Sequence, residues 1–173
     1  MKKITLVGAA TSGKDYLLNG LVEIGLVPCT KSTTRPIRNG EIRGVTYNYM
    51  DNESFVSDLD NMVVYQKFEF LFDGMEKLWY YGIHKQEFEK CQVCIMTPME
   101  INSLTTEERN ACTVIYVNID ESIRRKRLEK RNDNNDSIDR RIESDAFDFK
   151  DFTDYDIEIT DPMFNVSEIY GSL

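Results

Sequence analysis

The chain has 173 residues, is 41% hydrophobic and 29% charged, and carries a formal net charge of −9. These proportions suit one soluble domain, or a core with small inserted lobes, long enough to bury a sizeable core. The acidic balance argues against a nucleic-acid-coating surface, and no apolar run approaches the length that crosses a bilayer. Met1-Lys2-Lys3 leads straight into the first apolar run. No signal peptide is therefore expected, and the expected setting is cytoplasmic.

In chain order, residues 3–7 read as a buried strand and residues 14–24 as a helix, with Tyr16, Leu17, Leu18, Leu21 and Val22 at helical spacing. Between them, residues 8–15 read Gly-Ala-Ala-Thr-Ser-Gly-Lys-Asp. Strand, glycine-rich turn and helix in that order are the setting of a phosphate-binding loop. Its expected anion-binding groups are the backbone of Gly8, Ala9, Ala10, Thr11, Ser12 and Gly13, together with the Lys14 ammonium. Asp15 stands where such a loop usually carries Ser or Thr.

Further strand-like runs fall at 27–30, 93–96, 113–117 and 157–159, and helical stretches at 122–131 and 137–149. The alternation predicts an α/β fold with a parallel sheet. A different texture interrupts it. Residues 46–50, 62–72 and 78–81 are rich in aromatic and β-branched side chains, and Asp73-Gly74 is a turn signal. These predict a small antiparallel lobe inserted in the core. Residues 132–136, Asn-Asp-Asn-Asn-Asp, form a polar break read as a loop or lid, with Asp136 or Ser137 as helix cap.

Cys91 and Cys94 have metal or redox spacing, but there is no second such pair and His84 is the only histidine. Reduced buried thiols are the expected reading. Eight of the 21 basic residues lie between Arg124 and Arg141, which in an acidic chain suggests an anion site. A second anion site is suggested near Arg35 and Arg38, three apart beside Pro36 and Gly40. Two guanidinium forks in one turn-rich segment can grip a phosphate, and Tyr47 adds a phenolic donor. Composition alone leaves a solvated basic loop equally open.

The segment Ser32-Thr33-Thr34-Arg35, then Arg38, Gly40-Glu41 and Tyr47-Asn48-Tyr49, resembles guanylate kinases in order and spacing. Tyr80-Tyr81-Gly82 continues the resemblance, as do residues 127–131 and 137–141. It implies a P-loop kinase fold: a central parallel sheet flanked by helices, a small inserted mixed or antiparallel acceptor-binding lobe and a helical lid. The implied layout is a single domain with core 1–31, 83–120 and 142–173, lobe 32–82 and lid 121–141. It implies ATP-dependent phosphorylation of a nucleoside monophosphate, GMP or dGMP first, by a monomer or homodimer without nucleic-acid or membrane partners. Residues 8–15 would hold ATP. Ser32, Arg35, Arg38, Glu41, Tyr47, Glu69 and Tyr81 would hold the acceptor. Lys14, Arg127, Arg131 and Arg141 would act on the migrating phosphoryl group. Magnesium is implied as cofactor, with Asp15 as its candidate ligand.

Three departures stand out. Asp15 replaces the hydroxyl residue that usually reaches magnesium; a carboxylate is itself a hard ligand, and Asp also occurs here in related ribose bisphosphate phosphokinases. Ile83 occupies the place of a Ser or Thr that contacts guanine, leaving the neighbouring His84 as a substitute. The family's acidic pair falls near Thr97-Pro98-Met99, so Glu100 would serve only with a one-residue slip. Glu69 is the expected guanine-reading carboxylate, and Phe68, Phe70, Phe72 and Trp79 are open to stacking or packing. The altered base pocket keeps two other readings alive: another nucleoside monophosphate or a sugar phosphate as acceptor, or a non-catalytic binding module.

Overall fold

The computed structural model describes residues 2–72, 74–131 and 137–173, without the side chains of Leu71, Phe72 and Arg131. The turn residue Asp73, the polar break 132–136 and the Asp136 cap lie outside the described residues. In chain order the elements are β1 (Lys3–Val7), α1 (Lys14–Glu23), β2 (Ser32–Thr33), β3 (Asn48–Tyr49), α2 (Asn52–Ser57), β4 (Met62–Phe72), β5 (Met75–His84) and α3 (Lys85–Lys90). They continue with β6 (Val93–Ile95), α4 (Pro98–Asn102), α5 (Thr106–Asn110), β7 (Cys112–Val117), α6 (Glu121–Arg131), α7 (Ile138–Phe149), β8 (Ile157–Ile159) and α8 (Val166–Gly171). The chain divides into two units, one of Met1–Val27 with Gln92–Leu173 and one of Pro28–Cys91.

The first unit holds a parallel sheet in the order β6-β1-β7-β8. Ile4 pairs with Val93 on one side of β1 and with Thr113 on the other. Strands covered on both faces read as near-continuous apolar runs, which is why residues 3–7, 93–96 and 113–117 lack alternation. The core gathers Ile4, Leu6, Val93, Ile115 and Val117 from the sheet with Leu17 and Leu21 from α1. Ser137 caps α7 by accepting from the Arg140 N–H.

The second unit holds a mixed sheet in the order β3-β2-β5-β4. β4 and β5 form one long hairpin, with Tyr65 opposite Gly82 and Phe68 opposite Trp79. Gly82 is needed for packing: a Cβ there would lie 2.9 Å from the Phe55 ring and 3.1 Å from the Val64 carbonyl oxygen. Phe55 in turn stacks on Tyr80 at 5.1 Å.

Two element expectations change. Residues 27–30 form no regular strand; the Val27 carbonyl instead accepts from the Gln92 and Val93 amides, and Pro28 has no N–H to donate. The pairing strand is β2, two residues later. The run 46–50 shortens to β3, because Thr46 folds back: its N–H donates to the Ile42 carbonyl and its hydroxyl accepts from the Ile42 N–H. Gly82→Ala should destabilise the protein by roughly 1–3 kcal/mol, since the neighbours that must yield include a backbone carbonyl. Urea unfolding followed by tyrosine and tryptophan fluorescence checks this.

Candidate active site

The loop between β1 and α1 is held in a shape that glycine alone permits at two places. Gly13 has φ 108° at the helix N-cap, and a Cβ there would sit 3.3 Å from the Phe164 ring. A Cβ on Gly8 would approach Ser12 Oγ to 2.5 Å and the Val117 carbonyl oxygen to 2.8 Å. That Ser12 hydroxyl is buried with no hydrogen-bond partner among the described residues, while the Ser12 N–H donates to the Ala9 carbonyl at 3.2 Å. Thr11 adopts a positive φ of 57° at the crest of the loop.

The loop carbonyls are turned aside by named donors. Arg127 Nη1 donates to the Thr11 and Ser12 carbonyls at 3.0 and 3.2 Å, and its Nη2 to the Pro162 carbonyl at 3.2 Å. Lys14 Nζ donates to the Ala9 carbonyl at 3.1 Å. A trans peptide points its N–H opposite to its C=O, so the Gly13 amide faces away from Arg127. Backbone amides and an ammonium are thereby presented in one loop, the arrangement that binds phosphate. Arg127, expected beside the migrating phosphoryl group, is here a clamp on the loop backbone. Asp15 lies exposed in the first turn of α1. Arg141 lies on α7, and the Arg131 side chain falls outside the described residues.

In the second unit the expected acceptor residues group around Arg35, which is 4% exposed. Its Nη2 meets Glu41 Oε1 at 2.6 Å, its Nη1 donates to the Pro36 carbonyl, and its guanidinium lies over the Tyr47 ring. Tyr47 packs edge-on against Tyr81 at 5.9 Å, and Tyr81 against Phe68 at 5.5 Å. Ser32 is buried opposite Gly82, and Arg38 is exposed. Thr33 Oγ1 accepts from the Arg35 N–H while donating to the Tyr80 carbonyl, which pins the start of the loop. Burial pushes the Tyr47 phenol up, so it stays protonated as a donor.

Glu41 is the centre of this cluster. Besides Arg35 it accepts from the Arg38 N–H at 2.7 Å and from the Tyr49 hydroxyl at 2.7 Å. Desolvation pushes its carboxyl up, but those three partners outweigh it and hold it at about 2. Its oxygens are thus committed to shaping the arginine loop. Tyr49 and Arg43 complete the loop unforeseen, Arg43 Nη1 donating to the Tyr49 carbonyl and stacking over the Tyr49 ring. Arg35, Arg43 and Tyr49 also border a cavity of about 350 Å³ with Thr34, Pro36, Ile37, Met50 and Asp51.

The expected base-reading groups are engaged elsewhere. Glu100 is 1% exposed and closes a capping box, its Oε2 accepting from the Thr97 N–H at 2.8 Å. His84 Nδ1 accepts from the Gln86 N–H as the cap of α3, with Nε2 3.6 Å from Asp58. Ile83 is fully buried. Glu69 is exposed and paired with Lys67 at 2.7 Å. Phe70 packs on Trp79 at 4.6 Å, a contact across the hairpin. The four cysteines form no disulfide among the described residues; burial and a hydrogen bond place Cys94 against Thr5 Oγ1, while a hydrogen bond with Cys91, then burial, pushes the Cys29 thiol up.

A family model described as guanylate kinase matches residues 1–170. The chain belongs to the guanylate kinase family. It is thereby a nucleoside monophosphate kinase by descent, with the α/β fold that its sheet order displays. Among solved structures, guanylate kinase from Anaplasma phagocytophilum is similar with a TM-score of 0.63 and 17% identity, over 99% of this chain and 81% of that one. A comparison with curated proteins found no match. Asp145 and Arg124 lie beside the phosphate loop and were not singled out by the sequence pattern.

Glu41 provides a pH test. Its folded value of about 2 lies below the ordinary 4.5, so its stabilisation is complete above pH 4.5 and is lost as the pH falls toward 2. Glu41→Gln should cost roughly 1–3 kcal/mol near neutrality and lose less stability than the wild type on acidification. Denaturant unfolding at pH 6 and pH 3 measures both.

Proposed function

We propose that the protein transfers the γ-phosphoryl group of ATP to GMP or dGMP, giving ADP and the nucleoside diphosphate. One observation carries this reading. A single chain of the guanylate kinase family keeps both the Lys14 phosphate loop and the Arg35–Tyr47–Tyr81 cluster. Modules that only dock partners have no need of both.

In this reading an acceptor phosphate oxygen attacks the γ-phosphorus while the bond to the β,γ-bridging oxygen breaks. The attacking oxygen is already anionic, so no strong base is required, and positioning with charge stabilisation carries the rate. The phosphate-loop amides and Lys14 bind the donor phosphates, and Arg141 together with Arg131 stabilises the equatorial oxygens. Ser32, Arg35, Arg38, Tyr47 and Tyr81 hold the acceptor phosphate, with Glu41 positioning Arg35 rather than touching substrate. The layout proposed is an acceptor lobe at 32–82 and a lid at 121–141 on one core. The proposed setting is cytoplasmic, as a monomer or homodimer; no described helix is long and apolar enough to cross a membrane.

Magnesium fits the donor set at Asp15. The carboxylate is exposed at the helix start, one hard oxygen donor beside the phosphate loop. No group of three or more candidate metal-ligating side chains converges among the described residues, so the ion would arrive on the triphosphate. There it would neutralise charge on the β- and γ-oxygens. Asp15→Ser should retain activity if a hydroxyl suffices at this place, and lose it if the carboxylate is a required ligand; turnover titrated against magnesium separates the two.

A second reading changes the base. The buried Ile83, the ion-paired Glu69 and the capping Glu100 together favour an acceptor base other than guanine. Sites that lose paired donors lose discrimination steeply. ADP release over a panel of nucleoside monophosphates, with a sugar phosphate included, decides: GMP and dGMP inert beside a turned-over alternative would replace the first reading. On the first reading, Lys14→Ala lowers kcat by on the order of 10²–10³ or more. Arg38→Ala raises the acceptor KM roughly tenfold or more with a smaller effect on kcat.

A further inference from the structure

Beside the phosphate loop lies a carboxylate that an anion site would ordinarily exclude. Asp145, on α7, places Oδ2 3.0 Å from the Ala10 N–H and 3.1 Å from Arg124 Nη1. Its side chain is 18% exposed and that of Arg124 11%, so water screens the pair only in part. Arg124 is itself anchored, its Nε donating to the Ile119 carbonyl at 3.0 Å. Its own carbonyl accepts from Thr11 Oγ1 at 2.9 Å. The two crest residues of the loop are therefore tied by separate bonds: Ala10 through its amide to α7, and Thr11 through its hydroxyl to α6. One turn along α6, Arg127 holds the carbonyls of Thr11 and Ser12.

The direction of these bonds matters. Asp145 takes one loop amide out of the set available to a phosphate and neutralises part of its own charge against Arg124. A negative charge so close to a triphosphate opposes binding unless it serves another purpose. That purpose is legible from α7. Arg141 precedes Asp145 by four residues and so shares its helix face. A carboxylate seated on Ala10 registers this face of α7 against the loop.

We propose that Asp145 is a positioning residue of the donor site, seating α7 on the phosphate loop so that one carboxylate sets both the crest of the loop and the place of Arg141. The inference rests on the reading of this loop as an ATP site. Asp145 touches no substrate in it; it acts through Ala10 and Arg124.

The test uses the full chain and three measurements. In nucleotide-free protein, hydrogen exchange at the Ala10 amide should accelerate in Asp145→Ala and stay near wild type in Asp145→Asn, whose amide oxygen still accepts. In calorimetry and steady-state kinetics with magnesium-ATP, Asp145→Ala should raise the ATP Kd and KM roughly tenfold and lower kcat, with the monophosphate KM unchanged. Asp145→Asn should recover most of the ATP affinity. Arg124→Ala should weaken ATP binding similarly, and the double variant should lose less than the two single losses combined. An Asp145→Ala variant with wild-type ATP affinity and kcat would overturn the positioning role. Equal loss of affinity for both substrates, tracking a lower melting temperature and unrescued by Asn, would overturn it as well, leaving a stability role only. Wild-type protein that bound no magnesium-ATP would overturn the donor-site reading along with it, even with Ala10 protection intact.

Discussion

Strand β1 is gripped on both edges by parallel neighbours, and everything at its carboxyl end follows from that. With β6 on one side and β7 on the other, its backbone is fully used and its side chains are buried on both faces. The chain must therefore leave the sheet abruptly after Val7 and re-enter order as α1 seven residues later. Gly8 and Gly13 make that departure possible, because a side chain at Gly8 would collide with Ser12 and the Val117 carbonyl, and one at Gly13 would be strained at its positive φ and crowd Phe164. A turn this tight leaves peptide carbonyls to be satisfied, and satisfying them from α6 aims amides the opposite way. The outward aim of the Gly13 amide is thus a product of backbone accounting.

The arginine loop of the second unit solves a different problem in the same chain. Two guanidinium groups in an overall acidic protein must be kept available without collapsing onto stray carboxylates. The solution is one dedicated carboxylate, Glu41, whose oxygens are shared among Arg35, the Arg38 amide and Tyr49. A hydrogen-bonded charge of this kind fixes geometry as well as adding stability, because its three partners outweigh desolvation. Around it Tyr47, Tyr81 and Phe68 meet edge to face, an apolar wall that keeps the Arg35 fork from swinging.

Local pattern made much of this legible. The apolar runs of β1, β6 and β7 and the Gly-Lys turn stand out because buried strands and phosphate loops leave short, contiguous marks. The long hairpin was visible in its aromatic texture, though its full extent was not: β5 begins three residues before the expected run, at exposed Met75 and Glu76, where no apolar signal exists. The strand expected at 27–30 failed because Val27 found its partners at Gln92 and Val93, a contact no local window contains. Glu100 and His84 each carry a helix-capping bond that side-chain type alone does not announce. Asp145 and Arg124 escaped notice because their bonds to the loop run to Ala10 and Thr11, far away in sequence and adjacent only once the sheet has formed.

The same remoteness has a bearing on how the molecule is made. Residues 8–13 are synthesised near the start of the chain, yet beside their local bonds the contacts that shape them come from much later: Val117, Arg124, Arg127, Asp145 and Phe164, with Pro162 anchoring Arg127. On the ribosome the loop has no template until the last strand and its flanking residues emerge. Such long-range closure is slow, and domains are prone to sticking while it is incomplete. A chain ended before Pro162 would carry the motif without the Pro162 and Phe164 contacts that help to hold its shape.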